Sequence, residues 1–297
     1  MSVDIKPEWL PDLQEYRAEP RLDSVARSFT SANRGMFVVH ALREEIFPQH
    51  PRRVRLLDVG VGKQGYYFYC SYEPYMIAAA LEGAGINYQM DIVDTDSAVI
   101  ADLKKRRKIF FPAQYLGDLD HRDAWLSYLA ATKQKARSRD KSDSVEPTSL
   151  TSPEDLRAQW DIMANLLVAR VPNSFVSKLQ DGGIKPIQGD IATARIGQRG
   201  RYNLIACVNV LYLLSESGQK LAFYNMANSL EKDGLLIMND LRRGRMPSET
   251  GKVFTTSPIL DFYGGWLTEE KMKDLGLVPY KQLESTGGNV TFSFKKI

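Results

Sequence analysis

The sequence predicts an α/β fold with a doubly wound, seven-stranded, mostly parallel sheet. The segment Val54 to Val59 is apolar on consecutive positions, which is typical of a parallel strand buried on both faces. Glycines at 60, 62 and 65 follow it, as in a tight turn that leads from a strand toward a ligand. Strand-like and helix-like segments then alternate along much of the 297-residue chain.

The composition favours a soluble cytoplasmic protein. Hydrophobic residues make up 43% and charged residues 25%, and no apolar run approaches the ~20 residues of a membrane span. The N-terminus lacks a basic-then-apolar signal, and two cysteines are too few for a disulfide framework. A formal net charge of +3 falls short of the concentrated basic patch expected of a dedicated nucleic-acid binder. We therefore expect no membrane or nucleic-acid partner, and the sequence predicts no metal site.

Two domains are expected, an N-terminal helical segment at 1–52 and a main domain at 53–297. Apolar residues at helical spacing indicate two helices in the first, and Pro48 marks the end of the second helix. The main domain is predicted to contain strands at 54–59, 86–93, 184–188, 202–210 and 234–239 and helices at 76–81, 97–107 and 216–230.

Two further regions complete the main domain. Between about 112 and 173 the alternation breaks down, which indicates an insertion with helix-like pieces at 125–135 and 153–169. At the C-terminus, a helix is predicted to begin near Thr268, and strands at 278–283 and 290–294 are predicted to pair as a hairpin.

The glycine turn suits two cofactors, a nicotinamide dinucleotide or S-adenosylmethionine (SAM). Asp58, Gly60 and Gly62 fit both, and so does Asp94, which ends the second strand where a carboxylate can bind ribose hydroxyls. A dinucleotide site would aim a helix N-terminus at the pyrophosphate, but an aromatic stretch at 66–75 separates these glycines from the next helix. The stretch Gln188 to Ile191 supplies a polar adenine contact, so SAM is the favoured cofactor.

Several blocks of the sequence resemble the chemotaxis receptor glutamate methyltransferases, the CheR family. Ser71-Tyr-Glu-Pro-Tyr75, followed by an apolar helix, is similar to that family's Gly-Glu-Glu-Pro-Tyr-Ser signature. The block Val93 to Ile100 is similar to its Asp-Ile-Asp segment, and Tyr202 to Leu213 resembles its strand ending in Cys-Arg-Asn-Val. The resemblance covers most of 54–110 and 184–240 and implies a class I SAM-dependent methyltransferase, a Rossmann-like fold.

The resemblance also implies roles for single residues. It implies that Glu73 holds the methionine amino group, that Asp94 binds the ribose hydroxyls, and that Asp190 with Ile191 contacts the adenine. Asn209, with the adjoining Val210, would line the same pocket. A carboxylate suits an ammonium group, and two carboxylate oxygens suit a vicinal diol, so the chemistry of these residues agrees with the roles.

The chain departs from the family on the substrate side. Val39 and Val208 stand where the family has arginines, and Leu213 stands where it has a tyrosine, with Tyr212 one place early. A buried carboxylate without a cationic partner would be poorly compensated. A receptor glutamate is therefore disfavoured as the substrate.

Methyl transfer requires the acceptor and the methyl group to be held in line, and a phenol, alcohol or ammonium acceptor must also lose a proton. The candidate bases are Tyr212, Tyr66 and His40, with Tyr67 and His121 as further possibilities. The predicted function is methyl transfer from SAM to an oxygen or nitrogen atom of a small molecule or peptide.

Two alternatives remain open. Basic runs at 104–108 and 133–141 suggest an RNA methyltransferase, but Asn209 is not followed by the paired prolines that stack a flipped base. The losses at 39, 208 and 213 suggest a non-catalytic, CheR-like domain that binds the cofactor without turnover.

Overall fold

The structure is a computed structural model, and it describes the larger part of the chain. The described residues are 7–14, 16, 38–39, 41–61, 73–105, 108–112, 137–138, 166–171, 173–194, 196, 201–208, 210–211, 214–240, 266–284 and 290–297. The chain divides into two compact units. The first contains 1–21, 55–60 and 189–297, and the second contains 22–54 and 61–188.

A seven-stranded mixed sheet confirms the predicted α/β class. Its strands are β1 (Arg53–Val59), β2 (Asn87–Asp94), β6 (Ile184–Gln188), β7 (Tyr202–Cys207), β8 (Leu230–Asp240), β9 (Leu277–Glu284) and β10 (Val290–Lys296). The strand order is β6-β2-β1-β7-β8-β10-β9. Numbered along the chain within this sheet, the order reads 3-2-1-4-5-7-6, so the last strand is inserted between the fifth and the sixth.

In the first unit, strands β1, β7 and β8 are parallel, and β10 is antiparallel to both β8 and β9. The pairing of β9 with β10 confirms the predicted hairpin. Helix α4 (Glu216–Ser229) begins at Ser215, whose side chain accepts a hydrogen bond from the Gly218 amide at 3.3 Å. Helix α5 (Glu269–Asp274) begins at Thr268 in the same manner, as predicted. Phe223 of α4 packs edge-on against Phe294 of β10, with ring centroids 5.9 Å apart.

In the second unit, β2 and β6 are parallel and aligned without interruption from Met90 opposite Ile184 to Asp94 opposite Gln188. Its helices are α1 (Glu73–Gly83), α2 (Ser97–Lys105) and α3 (Asn173–Gln180). Tyr75 of α1 contacts Phe175 of α3, and both side chains are fully buried.

One element of the predicted insertion is wrong. The segment Leu166–Arg170 forms strand β5 rather than the end of a helix at 153–169. It lies between β3 (Lys108–Pro112) and β4 (Arg137–Ser138) in a three-stranded antiparallel sheet. The run Leu-Leu-Val-Ala is apolar on consecutive positions, and such a short run does not distinguish a strand from a buried helix.

Smaller differences concern the ends of elements. Helix α1 begins at Glu73, three residues before the predicted start, because Pro74 is well tolerated in the first turn of a helix. Strand β7 ends at Cys207 rather than at residue 210. Among the helices that the structure describes, none is long and apolar enough to cross a membrane.

Candidate functional site

In the turn after β1, Gly60 has a left-handed backbone conformation and lies close to the Val210 side chain. Gly60 has φ +66°, a conformation that costs a side-chain-bearing residue about 1–2 kcal/mol. A Cβ atom at this position would lie 2.3 Å from Cγ2 of Val210, beyond the end of β7. Both the backbone angle and this contact therefore require glycine at position 60. The contact also shows that two of the predicted site residues, Gly60 and Val210, are neighbours. Asp58, two residues earlier, is buried at the end of β1.

The loop after β6 is held by a dense set of hydrogen bonds around Asp190. Oδ1 of Asp190 accepts from the amide of Ala192 at 2.9 Å, and its carbonyl oxygen accepts from the amide of Thr193 at 2.9 Å. From α4, the side-chain amide of Asn225 donates to the carbonyl oxygens of Ile191 at 3.1 Å and Ala192 at 2.8 Å. Ile191 is buried and Asp190 is partly exposed. The loop thus fixes the Asp190 carboxylate while leaving part of it accessible.

The N-terminal segment reaches this loop through Tyr16, a residue that the sequence did not single out. The hydroxyl of Tyr16 donates a hydrogen bond to Oδ2 of Asp190 at 2.8 Å. The Tyr16 ring lies against Gly218 in the first turn of α4, where an added Cβ would come within 2.9 Å of Cε2 and 3.0 Å of the hydroxyl oxygen. Farther along, the rings of Trp9 and Trp266 stack at 6.2 Å. Tyr16 therefore contacts Asp190 directly, and Trp9 attaches the same N-terminal segment to Trp266.

Asp94 occupies the last position of β2 and is buried. Its Oδ1 accepts a hydrogen bond from the amide of Asp96 at 2.8 Å, and the Asp96 side chain in turn accepts from the amide of Ala98 in the first turn of α2. Asp94 lies opposite Gln188 in the parallel pairing of β2 with β6. Asp190 follows Gln188 two residues later along the chain, just beyond the end of β6.

Glu73 is the first residue of α1, and its side chain is fully buried. A carboxylate removed from water requires compensation, and the N-terminus of a helix supplies partial positive charge. The N-terminus of α1 therefore suits the negative charge of Glu73.

The positions at which the chain departs from the CheR pattern are apolar and buried where the structure describes them. Val39 is 4% exposed and Val208 is 0% exposed. Neither side chain carries a charge, so neither offers a cation to an acidic acceptor.

Several predicted site residues lie outside the described residues. They are the candidate bases Tyr212, Tyr66 and His40, the further possibilities Tyr67 and His121, and Gly62, Asn209 and Leu213. Their roles stay predictions.

Two residues of the first basic run are described. Lys104 and Lys105 are exposed in the last turn of α2, where cations stabilise the negative end of the helix dipole. A helix terminus thus accounts for these two charges without a nucleic acid.

No family model matches this chain, and no curated protein matches it. Among solved structures, a TehB-like SAM-dependent methyltransferase from Corynebacterium glutamicum is 14% identical with a TM-score of 0.40, covering 89% of this chain and 88% of its own. A putative class I SAM-dependent methyltransferase from Listeria monocytogenes is 11% identical with a TM-score of 0.43 and coverages of 92% and 62%. The N-methyltransferase NodS from Bradyrhizobium japonicum is 10% identical with a TM-score of 0.37 and coverages of 90% and 99%. Similarities of this size identify no family.

Proposed function

We propose that this protein is a SAM-dependent methyltransferase that transfers a methyl group to an oxygen or nitrogen atom of a small molecule. The observation that carries the proposal is the alignment of Asp94 with Gln188 at the ends of β2 and β6, with Asp190 two residues farther along. Ribose and adenine are adjacent parts of one nucleoside, so carboxylates that follow two neighbouring parallel strands suit them. In open α/β sheets, ligands bind beyond the carboxyl ends of the strands.

The remaining residues suit the rest of the cofactor. Gly60 permits the backbone to turn closely after β1, and Asp58 precedes it. Glu73 supplies a buried carboxylate for the ammonium group of the methionine part, because an ion pair removed from water is stronger than one at the surface. The Asp94 carboxylate ends β2, and two carboxylate oxygens suit the two hydroxyls of a ribose.

The strand order separates this proposal from a dinucleotide site. The dinucleotide-binding sheet has the order 3-2-1-4-5-6. Here an antiparallel strand, β10, is inserted between β8 and β9. The inserted antiparallel strand departs from the dinucleotide-binding order, which supports SAM over a nicotinamide cofactor.

SAM supplies an electrophilic methyl group bound to a positively charged sulfur, and its transfer is an in-line displacement that leaves S-adenosylhomocysteine. The protein's task is to align the acceptor with the methyl group, exclude water and receive the acceptor's proton. We propose Tyr212, Tyr66 and His40 as candidates for the last role. Since Val39 and Val208 are apolar, we propose a phenol, alcohol or amine as the acceptor rather than a carboxylate.

Calorimetric titration with S-adenosylhomocysteine tests the cofactor. We expect the wild-type protein to bind it and Asp94→Ala to weaken binding at least about tenfold, because hydrogen bonds to a charged group contribute about 1.5–3 kcal/mol each. Asp181→Ala is the matched control, because Oδ1 of Asp181 also accepts from an amide two residues ahead, that of Gly183, at 2.8 Å. Equal affinities for wild type and Asp94→Ala would contradict the ribose assignment.

Turnover separates the enzyme from a non-catalytic domain. Incubation with SAM carrying a labelled methyl group and a library of phenols, alcohols and amines should label at least one acceptor. Binding of S-adenosylhomocysteine without labelling of any acceptor in such a library, or of RNA, would favour the non-catalytic alternative.

A further inference from the structure

We propose that Tyr16 is a positioning residue for adenine recognition, holding the Asp190 carboxylate in the orientation that accepts the adenine amino group. This inference rests on the proposed function. It adds the N-terminal segment to a site that the sequence motifs assign to the strand ends alone.

The hydrogen bonds of Asp190 divide between its two carboxylate oxygens. Oδ1 accepts from the Ala192 amide within its own loop, and Oδ2 accepts from the Tyr16 hydroxyl at 2.8 Å. The loop itself thus holds only Oδ1, and the donor to Oδ2 comes from a distant part of the chain. A carboxylate oxygen has about two lone-pair sites, so Oδ2 can still accept a second hydrogen bond while Tyr16 holds it.

Tyr16 is itself fixed against α4. Its ring packs so closely on Gly218 that any side chain there would have to displace it. Upstream, Trp9 stacks on Trp266, and the Lys271 ammonium group lies 5.8 Å from the centre of the Trp9 ring. These contacts hold the tyrosine hydroxyl in place before a ligand arrives, which reduces the entropy that binding would otherwise cost.

The opposing role would be competition, in which the Tyr16 hydroxyl occupies the place of the adenine amino group and must leave before SAM binds. The close packing of Tyr16 against Gly218 favours a fixed support over a group that moves aside. The two roles predict opposite changes in affinity when the hydroxyl is removed.

The test compares two ligands by calorimetry. One is S-adenosylhomocysteine, and the other is its analogue with hydrogen in place of the adenine 6-amino group. The dissociation constant of the analogue divided by that of S-adenosylhomocysteine measures recognition of the amino group. Tyr16→Phe keeps the ring and removes the hydroxyl. Tyr224→Phe on α4 is the matched control, since the Tyr224 hydroxyl makes no hydrogen bond among the residues that the structure describes.

We expect Tyr16→Phe to weaken S-adenosylhomocysteine about three- to tenfold and to bring the ratio toward one, because one hydrogen bond to a charged acceptor is lost. Asp190→Asn tests the same contact from the other side. Its amide oxygen must accept from Ala192, so its amide nitrogen faces the ligand as a donor, and the ratio should fall there as well. The control variant should keep the wild-type ratio.

Four results would overturn the inference. Equal weakening of both ligands by Tyr16→Phe would mean that the hydroxyl stabilises the fold without orienting Asp190. Tighter binding of S-adenosylhomocysteine would mean that Tyr16 competes with the adenine. An unchanged ratio in Tyr16→Phe, with a lowered ratio in Asp190→Asn, would exclude the role of Tyr16 and leave the proposed function intact. Failure of the wild-type protein to bind S-adenosylhomocysteine would contradict both the role of Tyr16 and the proposed function.

Discussion

Gly60 and Val210 approach each other so closely that a Cβ atom on the glycine would lie 2.3 Å from Cγ2 of the valine. The glycine also has φ +66°, which L-residues with side chains rarely adopt. Two independent requirements therefore exclude any other residue at the turn after β1, and variants can separate them.

Gly60→Ala should lower the free energy of unfolding by more than the about 1–2 kcal/mol that a left-handed conformation costs. Gly85→Ala is the matched control, because Gly85 has φ +70° and a Cβ atom added there would meet nothing within 4 Å. Denaturant unfolding of both variants gives the contribution of the close contact by difference. Val210→Ala should recover that difference in the Gly60→Ala background. Equal decreases in the free energy of unfolding of the two glycine variants would show that the contact with Val210 does not affect stability.

Asn225→Ala should loosen the loop that carries Asp190. The variant removes two hydrogen bonds to the carbonyl oxygens of Ile191 and Ala192, at an expected cost of about 1–3 kcal/mol in the free energy of unfolding. Because the loop then holds Asp190 less firmly, the affinity for S-adenosylhomocysteine should also fall. Asn228→Ala, at an exposed position of the same helix, controls for the change in helix propensity and should be neutral or slightly stabilising. A loss of stability without a loss of affinity would separate this loop from the cofactor site.

Gly218→Ala should show the coupling between α4 and the N-terminal segment. Alanine favours a helix over glycine by up to about 1 kcal/mol, but here its Cβ would press on the Tyr16 ring. We expect no stabilisation in the wild-type background and a gain in the Tyr16→Ala background, measured as a double-mutant cycle of unfolding free energies. A similar increase in the free energy of unfolding in both backgrounds would mean that the Tyr16 ring moves away from the alanine without destabilising the fold.

Tyr88 gives the second unit an expected sensitivity to alkaline pH. Burial raises the pKa of the Tyr88 hydroxyl well above its usual value, and the charge and hydrogen bond of Glu82 raise the pKa further. The folded state therefore retains a proton that the unfolded chain releases above about pH 10, so this stabilisation is fully present below that pH and is lost as the pH rises.

Unfolding by denaturant at about pH 9 and about pH 11 checks this expectation. The free energy of unfolding should fall between these values in the wild-type protein and fall less in Tyr88→Phe. Ser174→Ala is the control, since it removes the other hydrogen bond to Glu82, from the Ser174 hydroxyl at 2.5 Å, and keeps the buried tyrosine. The same pH dependence in wild type and Tyr88→Phe would contradict the assignment.

The sequence by itself determined the α/β class, the glycine turn and the carboxylates that end or follow strands. These features depend on local signals: runs of buried apolar residues, glycine beside an acidic residue, and a residue such as Thr268 that begins a helix. Such signals lie within a few residues of the element that they specify. The structure agrees with them at β6, whose bounds match the prediction, and at α4 and α5.

The tertiary structure alone decided which distant residues support the site. Tyr16 and Asp190 are separated by 174 positions, and nothing near either residue signals the contact. Gly218 looks like an ordinary helical glycine until the Tyr16 ring is placed against it, and Leu166–Arg170 becomes a strand because β3 and β4 pair with it. Short apolar runs and single polar residues are compatible with many partners, so their roles are set by packing between segments far apart in the chain.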